Sequence, residues 1–264
     1  MANACLPRCD SACRSSRRTW SKSGRRWART QGRGRWSWGC NPRRYDAGMP
    51  PHLLTATLLL FAYLIGSVSG SLLLGRFRGV DIRQHGSGNA GGTNAFRTQG
   101  WKFALGVVVV DIGKGALATW IALRLAPVGM PLSVTAHGYL AAAAAVIGHV
   151  WPLWHGFRGG KGAATMVGGL LVLWPWAIPP LLLAWLVLLA STGYVGLATV
   201  VAGLILPLLA WWSGAEPPRT WFAIGIALFI AFTHRSNLLR LWRGDESRFE
   251  RARLLHRLHR GSRR

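Results

Sequence analysis

Acidic residues are scarce in this chain. Only 8 of its 264 residues are Asp or Glu, against 32 Lys and Arg, for a formal net charge of +24. An excess of that size suggests a nucleic-acid binder, but its distribution argues against one. Residues 1–48 hold 12 basic and 2 acidic residues, and residues 235–264 hold 10 and 3. The 186 residues between them carry only 13 charges, and just three of these are acidic: Asp81, Asp111 and Glu216. A soluble domain carries roughly a quarter charged residues, so this stretch has too few to cover a water-facing surface. A soluble globular fold is excluded, and no nucleic-acid partner is expected.

Several catalytic signatures are also missing. The residue five after each His is never acidic, so the His-x-x-x-x-Asp dyad common in membrane acyltransferases is absent. There is no G-x-S-x-G elbow and no HExxH. No carboxylate cluster offers a divalent-metal site. Cys5, Cys9 and Cys13 are spaced by four, but no CxxC pair or matched His supports a metal there. No metal and no cofactor are expected.

Residues 1–48 contain no apolar run and so lack a secretory signal pattern. They are read as a basic leader, disordered or translated from a mis-assigned start, with Met49 as the true start. Residues 49–243 form the membrane domain, and 244–264 a basic cytoplasmic tail.

Apolar runs cover His52–Gly75, Phe103–Leu123, Ser133–Val150, Val195–Trp212 and Trp221–Thr233. A spanning helix needs about 20 apolar residues. The last run is short and borrows neighbours. Residues 163–192 are too long for one span and short for two. Trp174-Pro175 and Pro179-Pro180 interrupt them near the middle, which favours two short helices. Lys and Arg concentrate in loops 76–102 and 151–162 and in the tail, whereas loop 125–132 has none. By the positive-inside rule those basic segments are cytoplasmic, and 163–192 must cross twice. The expected fold is an all-α integral membrane protein. It is a bundle of about seven transmembrane helices, two of them short, with Gly-rich cytoplasmic loops, N-terminus outside and C-terminus inside.

The polar loops can carry chemistry. Gly86, Ser87, Gly88, Asn89, Gly91, Thr93, Asn94 and Arg97 fall in one Gly-rich stretch. Glycines let backbone N–H groups converge on an anion, and Arg97 supplies a fork that matches phosphate. Gly159, Gly160, Lys161, Gly162 and Thr165 form a second stretch that opens a helix, an arrangement suited to phosphate. It is not a Walker A loop, because His155 and Gly162 stand where Gly and Ser/Thr are needed. His234 and Asn237 share a helix face at the end of the last span. Asp111 and Lys114 lie three apart inside a span. They are either functional or a self-neutralising pair. His149 directly precedes the second loop.

In order and spacing, these elements resemble the bacterial acyl-phosphate:glycerol-3-phosphate acyltransferases of the inner membrane. The matches are Gly86-Ser87-Gly88-Asn89-x-Gly91-x-Thr93-Asn94-x-x-Arg97, Asp111-x-x-Lys114-Gly115 and Gly148-His149. They continue through Gly159-Gly160-Lys161-Gly162-x-Ala164-Thr165, Tyr194-Val195-x-Leu197 and His234-Arg235-x-Asn237. Ala90 departs from the usual Pro, Gly92 from a frequent Ala, and Gly196 and Thr199 from common serines. The resemblance implies transfer of an acyl group from acyl phosphate to the 1-hydroxyl of glycerol 3-phosphate. The product would be lysophosphatidic acid, for phospholipid synthesis. Ser87, Arg97, Lys161, His234 and Asn237 are the expected catalytic residues. Gly86, Gly88, Asn89, Gly91, Thr93, Asn94, Gly159, Gly160, Gly162 and Thr165 are expected at phosphate, with Asp111, Lys114 and His149 in support. Expected partners are the two substrates, membrane lipid and the enzyme that makes acyl phosphate. Since no strong protein base is evident, the substrate phosphate itself is expected to take the hydroxyl proton. The competing reading is a membrane transporter of a phosphorylated solute, to which Gly/Pro-interrupted short spans also point.

Overall fold

The computed structural model describes residues 49–127 and 131–249. The chain divides into Met1–Gly48 and Met49–Arg264, and the described residues belong to the second unit. The expected leader, loop positions 128–130 and the tail beyond 249 lie outside the described residues.

Among the described residues there are ten α-helices and no strand. They are α1 (Pro51–Gly66), α2 (Gly70–Phe77), α3 (Gly92–Gln99), α4 (Trp101–Leu125), α5 (Val134–Val150), α6 (Ala163–Leu173), α7 (Ile178–Thr192), α8 (Val195–Trp212), α9 (Pro217–Thr233) and α10 (Arg235–Arg243). Four helices are long and apolar enough to cross a membrane: Trp101–Leu125, Val134–His155, Pro175–Thr192 and Val195–Trp212. Two bent pairs, α1 with α2 and α9 with α10, raise the number to six. The 11-residue α6 is a seventh apolar helix, but at about 1.5 Å per residue it spans only half of a bilayer core.

The apolar run His52–Gly75, expected as one span, is two helices bent by 46°. The stretch 163–192 goes out and back. Its first helix begins beside Val146, Val150 and Ile230 and ends at Trp174, whose ring lies 5.1 Å from the Arg219 guanidinium at the start of α9. The chain turns through Pro175–Ala177. It then returns along α8, where the Trp185 indole donates to Thr199 Oγ1.

Glycine sets how closely the helices approach. A Cβ on Gly66 would stand 2.1 Å from the Ala145 carbonyl oxygen, and one on Gly148 would stand 2.1 Å from that of Tyr63. The pair α4 and α6 uses Gly115 against the Thr165 carbonyl and Gly168 against that of Ile112. Such backbone contact replaces the hydrophobic drive that lipid removes. Trp176, Trp211, Trp212 and Trp221 are exposed at one end of the bundle, and Trp154 and Trp242 at the other, as in the aromatic belts of membrane interfaces.

One buried ionic cluster links these helices. The Lys114 Nζ donates to the Val68 carbonyl at 2.7 Å and to His149 Nδ1 at 2.7 Å, and lies 3.0 Å from Asp111 Oδ1. The three hydrogens of the ammonium are thereby used. Because Lys only donates, His149 carries its ring hydrogen on Nε2. Asp111 Oδ1 also accepts from the Gly70 backbone N–H at 3.1 Å. Between α1 and α2 the free carbonyl and N–H therefore turn toward the cluster, which accounts for the bend.

Removing one partner of a buried pair leaves an uncompensated charge, which costs about 3–5 kcal/mol. Lys114→Met is expected to lower the thermal unfolding midpoint in detergent markedly, and adding Asp111→Asn should recover part of the loss. Gly148→Val should also lower the midpoint, by several degrees, because its side chain meets backbone that cannot yield. Wild-type midpoints in all three would contradict this packing.

Candidate functional site

A cavity of about 790 Å³ opens at the end of the bundle where α3, α6 and α10 begin. A helix start exposes backbone N–H groups that lack intrahelical partners. At α3 the cavity is lined by Gly91, Gly92 and Thr93, and at α6 by Gly162, Ala163 and Ala164. At α10 it is lined by His234 and Asn237. The helix ends of α3 and α6 thus face one space, the arrangement that favours an anion, whereas at α10 the lining residues contribute side chains, since the His234 N–H donates to the Ile230 carbonyl and the Asn237 N–H to the His234 carbonyl.

Lys161 stands among them. Its Nζ donates to Asn237 Oδ1, and its backbone carbonyl accepts from Thr233 Oγ1 at 3.0 Å. Burial, with the Arg240 charge nearby, lowers its pKa to about 8. His234 is buried against α9, with Nδ1 2.8 Å from the Ile230 carbonyl. A carbonyl only accepts, so Nδ1 carries the hydrogen and Nε2 is an acceptor.

The second loop is held from below. The Gly160 N–H donates to the His149 carbonyl and that of Gly159 to the Val150 carbonyl, both at 3.1 Å. A Cβ on Gly160 would stand 2.2 Å from His149 Nε2, so only glycine lets the loop rest on the ring. Gly162 has φ of 90°, and a Cβ there would meet Val146 at 2.6 Å. Asp111 and His149 line the cavity, whereas Lys114 stands behind them.

The first loop is shaped by Asn94, which is 1% exposed. Its Nδ2 donates to the Ile82 and His85 carbonyls at 2.9 and 3.0 Å, and its Oδ1 accepts from the Ser87 N–H at 2.9 Å. Both side-chain amide hydrogens are spent, so the Asn94 side chain fixes the loop and has no donor left for a phosphate. Ser87, Asn89 and Arg97 reach the cavity, and one Arg97 guanidinium nitrogen donates to the Ser247 carbonyl at 3.4 Å. Gly86, Gly88, Gly159, Gly160 and Thr165 are not among the lining residues. Thr165 is buried with its hydroxyl unpaired, on the face of α6 that packs on Gly115.

Three residues outside the predicted set matter to the geometry. Arg83 clamps the two glycine loops together. Its Nε and Nη2 reach the Asp81 carboxylate at 2.7–3.1 Å, and its Nη1 donates to the His155 and Arg158 carbonyls at 3.0 and 3.2 Å. That pairing holds the Asp81 carboxyl below the usual carboxylate range. Glu246 accepts from Asn237 Nδ2 at 2.6 Å and from Arg240 Nε at 2.7 Å. The expected tail from 244 therefore begins by folding back over the cavity, where the Phe249 N–H donates to the Gly193 carbonyl at 2.7 Å. Asp-x-Arg before the first loop was the available signal for the clamp. Nothing local marked Glu246.

Beyond its polar end the cavity becomes apolar. Its walls are Leu105, Val108 and Ile112 from α4, Met166 and Val167 from α6, and Ile178, Leu181, Leu182 and Trp185 from α7. Toward the opposite end, a core of Tyr139, Leu170, Trp174, Leu206 and Phe222 fills the bundle. The arrangement can hold an anion at one end and a hydrocarbon chain along the other.

The profile of the family described as "Glycerol-3-phosphate acyltransferase" matches residues 56–244. Proteins of that name from Geobacillus kaustophilus and Photorhabdus laumondii are 41% and 37% identical, over 71% and 72% of this chain and 92% and 84% of their own length. The chain is also similar to the crystal structure of PlsY, an integral membrane glycerol 3-phosphate acyltransferase in its glycerol 3-phosphate form. That likeness has a TM-score of 0.68 and 34% identity, covering 74% of this chain and 95% of that one. A lysophosphatidic acid form of PlsY matches with the same TM-score. The chain belongs to the glycerol-3-phosphate acyltransferase family.

Proposed function

We propose that this protein transfers an acyl group from acyl phosphate to the 1-hydroxyl of glycerol 3-phosphate, giving lysophosphatidic acid at the inner membrane of a bacterium. The observation that carries this reading is the two-part cavity, polar where three helices begin and apolar along α4, α6 and α7. Its chemistry matches a water-soluble phosphate acceptor meeting an acyl donor drawn from lipid.

Acyl phosphate is a mixed anhydride and needs no covalent enzyme intermediate. The glycerol hydroxyl oxygen bonds to the acyl carbon, the bond from that carbon to the phosphate oxygen breaks, and the hydroxyl proton leaves with the released phosphate. The protein's part is positioning, which supplies on the order of 7–11 kcal/mol. In this reading Lys161 and Arg97 hold phosphate, helped by the N–H groups at the starts of α3 and α6. The same N–H groups stabilise the developing oxyanion. Ser87 lies at the mouth, and His234 and Asn237 orient the acceptor. The enzyme that makes acyl phosphate is the natural partner.

The polar end is read as cytoplasmic. Arg83, Arg97, Arg158, Lys161, Arg240 and Arg243 gather there, against Arg124 and Arg219 at the other end. In this reading the N-terminus is outside and the C-terminus inside. The apolar core beyond the cavity disfavours a transporter, which needs a polar path to both faces.

Purified protein given a long-chain acyl phosphate and labelled glycerol 3-phosphate should form labelled lysophosphatidic acid. Lys161→Ala should lower kcat/KM about 10²–10³-fold. A folded wild type that forms no product would end this reading, and an undiminished variant would misplace the site. A Lys161 pKa of about 8 means the ammonium is present below that pH and lost above it. In a pH series kcat/KM should therefore fall above pH 8, and Lys161→Arg should move that limb upward. An identical limb in both proteins would assign it to another group.

A further inference from the structure

Within the apolar part of the cavity one large side chain is fixed in place. The Trp185 Nε1–H donates to Thr199 Oγ1 at 3.1 Å, and that hydroxyl in turn donates to the Val195 carbonyl at 2.8 Å. Leu181, Leu182 and Leu189 are the neighbouring lining residues of the same helix. In an apolar groove no water replaces a lost partner, so swinging the ring away would leave the half-buried indole N–H unpaired. The aliphatic walls adjust by rotamer changes, whereas the indole stays. The cavity also continues past it. Ile178 lines the cavity seven residues before Trp185, about 10 Å along the helix.

We propose that Trp185, locked by Thr199, is a specificity-determining residue that limits the length and bulk of the acyl chain the enzyme accepts. The inference rests on reading the apolar groove as the acyl-chain site. A chain running from the polar end along α7 meets the ring partway. What passes it reaches the segment lined by Ile178 and Leu181, and what cannot pass it is held short of productive alignment. Thr199 is a positioning residue, acting only through the indole.

The test uses the full chain in detergent and a series of saturated acyl phosphates of increasing length at saturating glycerol 3-phosphate. Each protein is scored by its own ratio of kcat/KM on the longest donor to that on the shortest, so any loss of folded protein cancels. Trp185→Ala is expected to raise this ratio about tenfold or more, the scale on which a pocket discriminates by methylenes. Thr199→Val keeps the volume and removes the hydroxyl, and should shift the ratio in the same direction by less. The KM for glycerol 3-phosphate should not move in either variant. Wild-type ratios in both variants would overturn the inference while leaving the acyltransferase reading intact, as would an equal loss on every donor. No turnover of any acyl phosphate by the wild type would instead overturn the functional reading, and the inference with it.

Discussion

A single ammonium group in the apolar interior organises this protein. Lys114 lies where a charge is costly unless every hydrogen is matched, and its three partners come from three separate places. They are the Val68 carbonyl at the break between α1 and α2, the Asp111 carboxylate one turn back on α4, and the His149 ring on α5. Asp111 adds a fourth link by accepting the Gly70 N–H. The bend in the first apolar run, the register of α4 and the orientation of His149 all follow. His149 then supports Gly160 with its ring and its carbonyl, so the buried charge indirectly sets the position of Lys161 next door.

Around that base the site is made mostly of backbone. Three helices begin at one cavity, and glycines at 160 and 162 let the chain approach where any side chain would collide. Such a construction suits a reaction in which the donor is already activated. Backbone N–H groups fixed by a helix do not reorganise when charge develops, and this is where preorganised dipoles act best. Two ion pairs brace the site, Arg83 with Asp81 and Arg240 with Glu246. Arg83 joins the two loops through Asp81, and Glu246 joins Asn237 to Arg240. The apolar half contributes shape alone.

Much of this was legible in the sequence because lipid imposes strong rules. Val195–Trp212 is the helix expected from its apolar run, and Ser133, the expected start of another, is the cap of α5, which begins one residue later. Pro175 does mark the turn between two helices, but Pro179 and Pro180 sit in the first turn of α7, and only α6 is too short to span. Local patterns could not reveal where polar side chains would spend their hydrogen bonds. Asn94 reads as a loop donor, yet tertiary contacts consume its amide. Thr165 sits in a glycine-rich motif, but helical periodicity turns it toward Gly115 and out of the cavity. The bend after Gly66 has no proline to announce it, since its cause is a lysine 48 residues from Gly66 on another helix. Glu246 belongs to a tail that is basic in composition, and only the fold brings it back to Asn237.

The central claim is that one phosphate-binding centre lies at the meeting of three helix starts. Its most direct test is an experimental structure of the protein soaked with glycerol 3-phosphate. The account predicts phosphate density within hydrogen-bonding distance of Lys161 Nζ and of the backbone N–H groups that open α3 or α6. Density for the ligand elsewhere, with that space filled only by solvent, would contradict it.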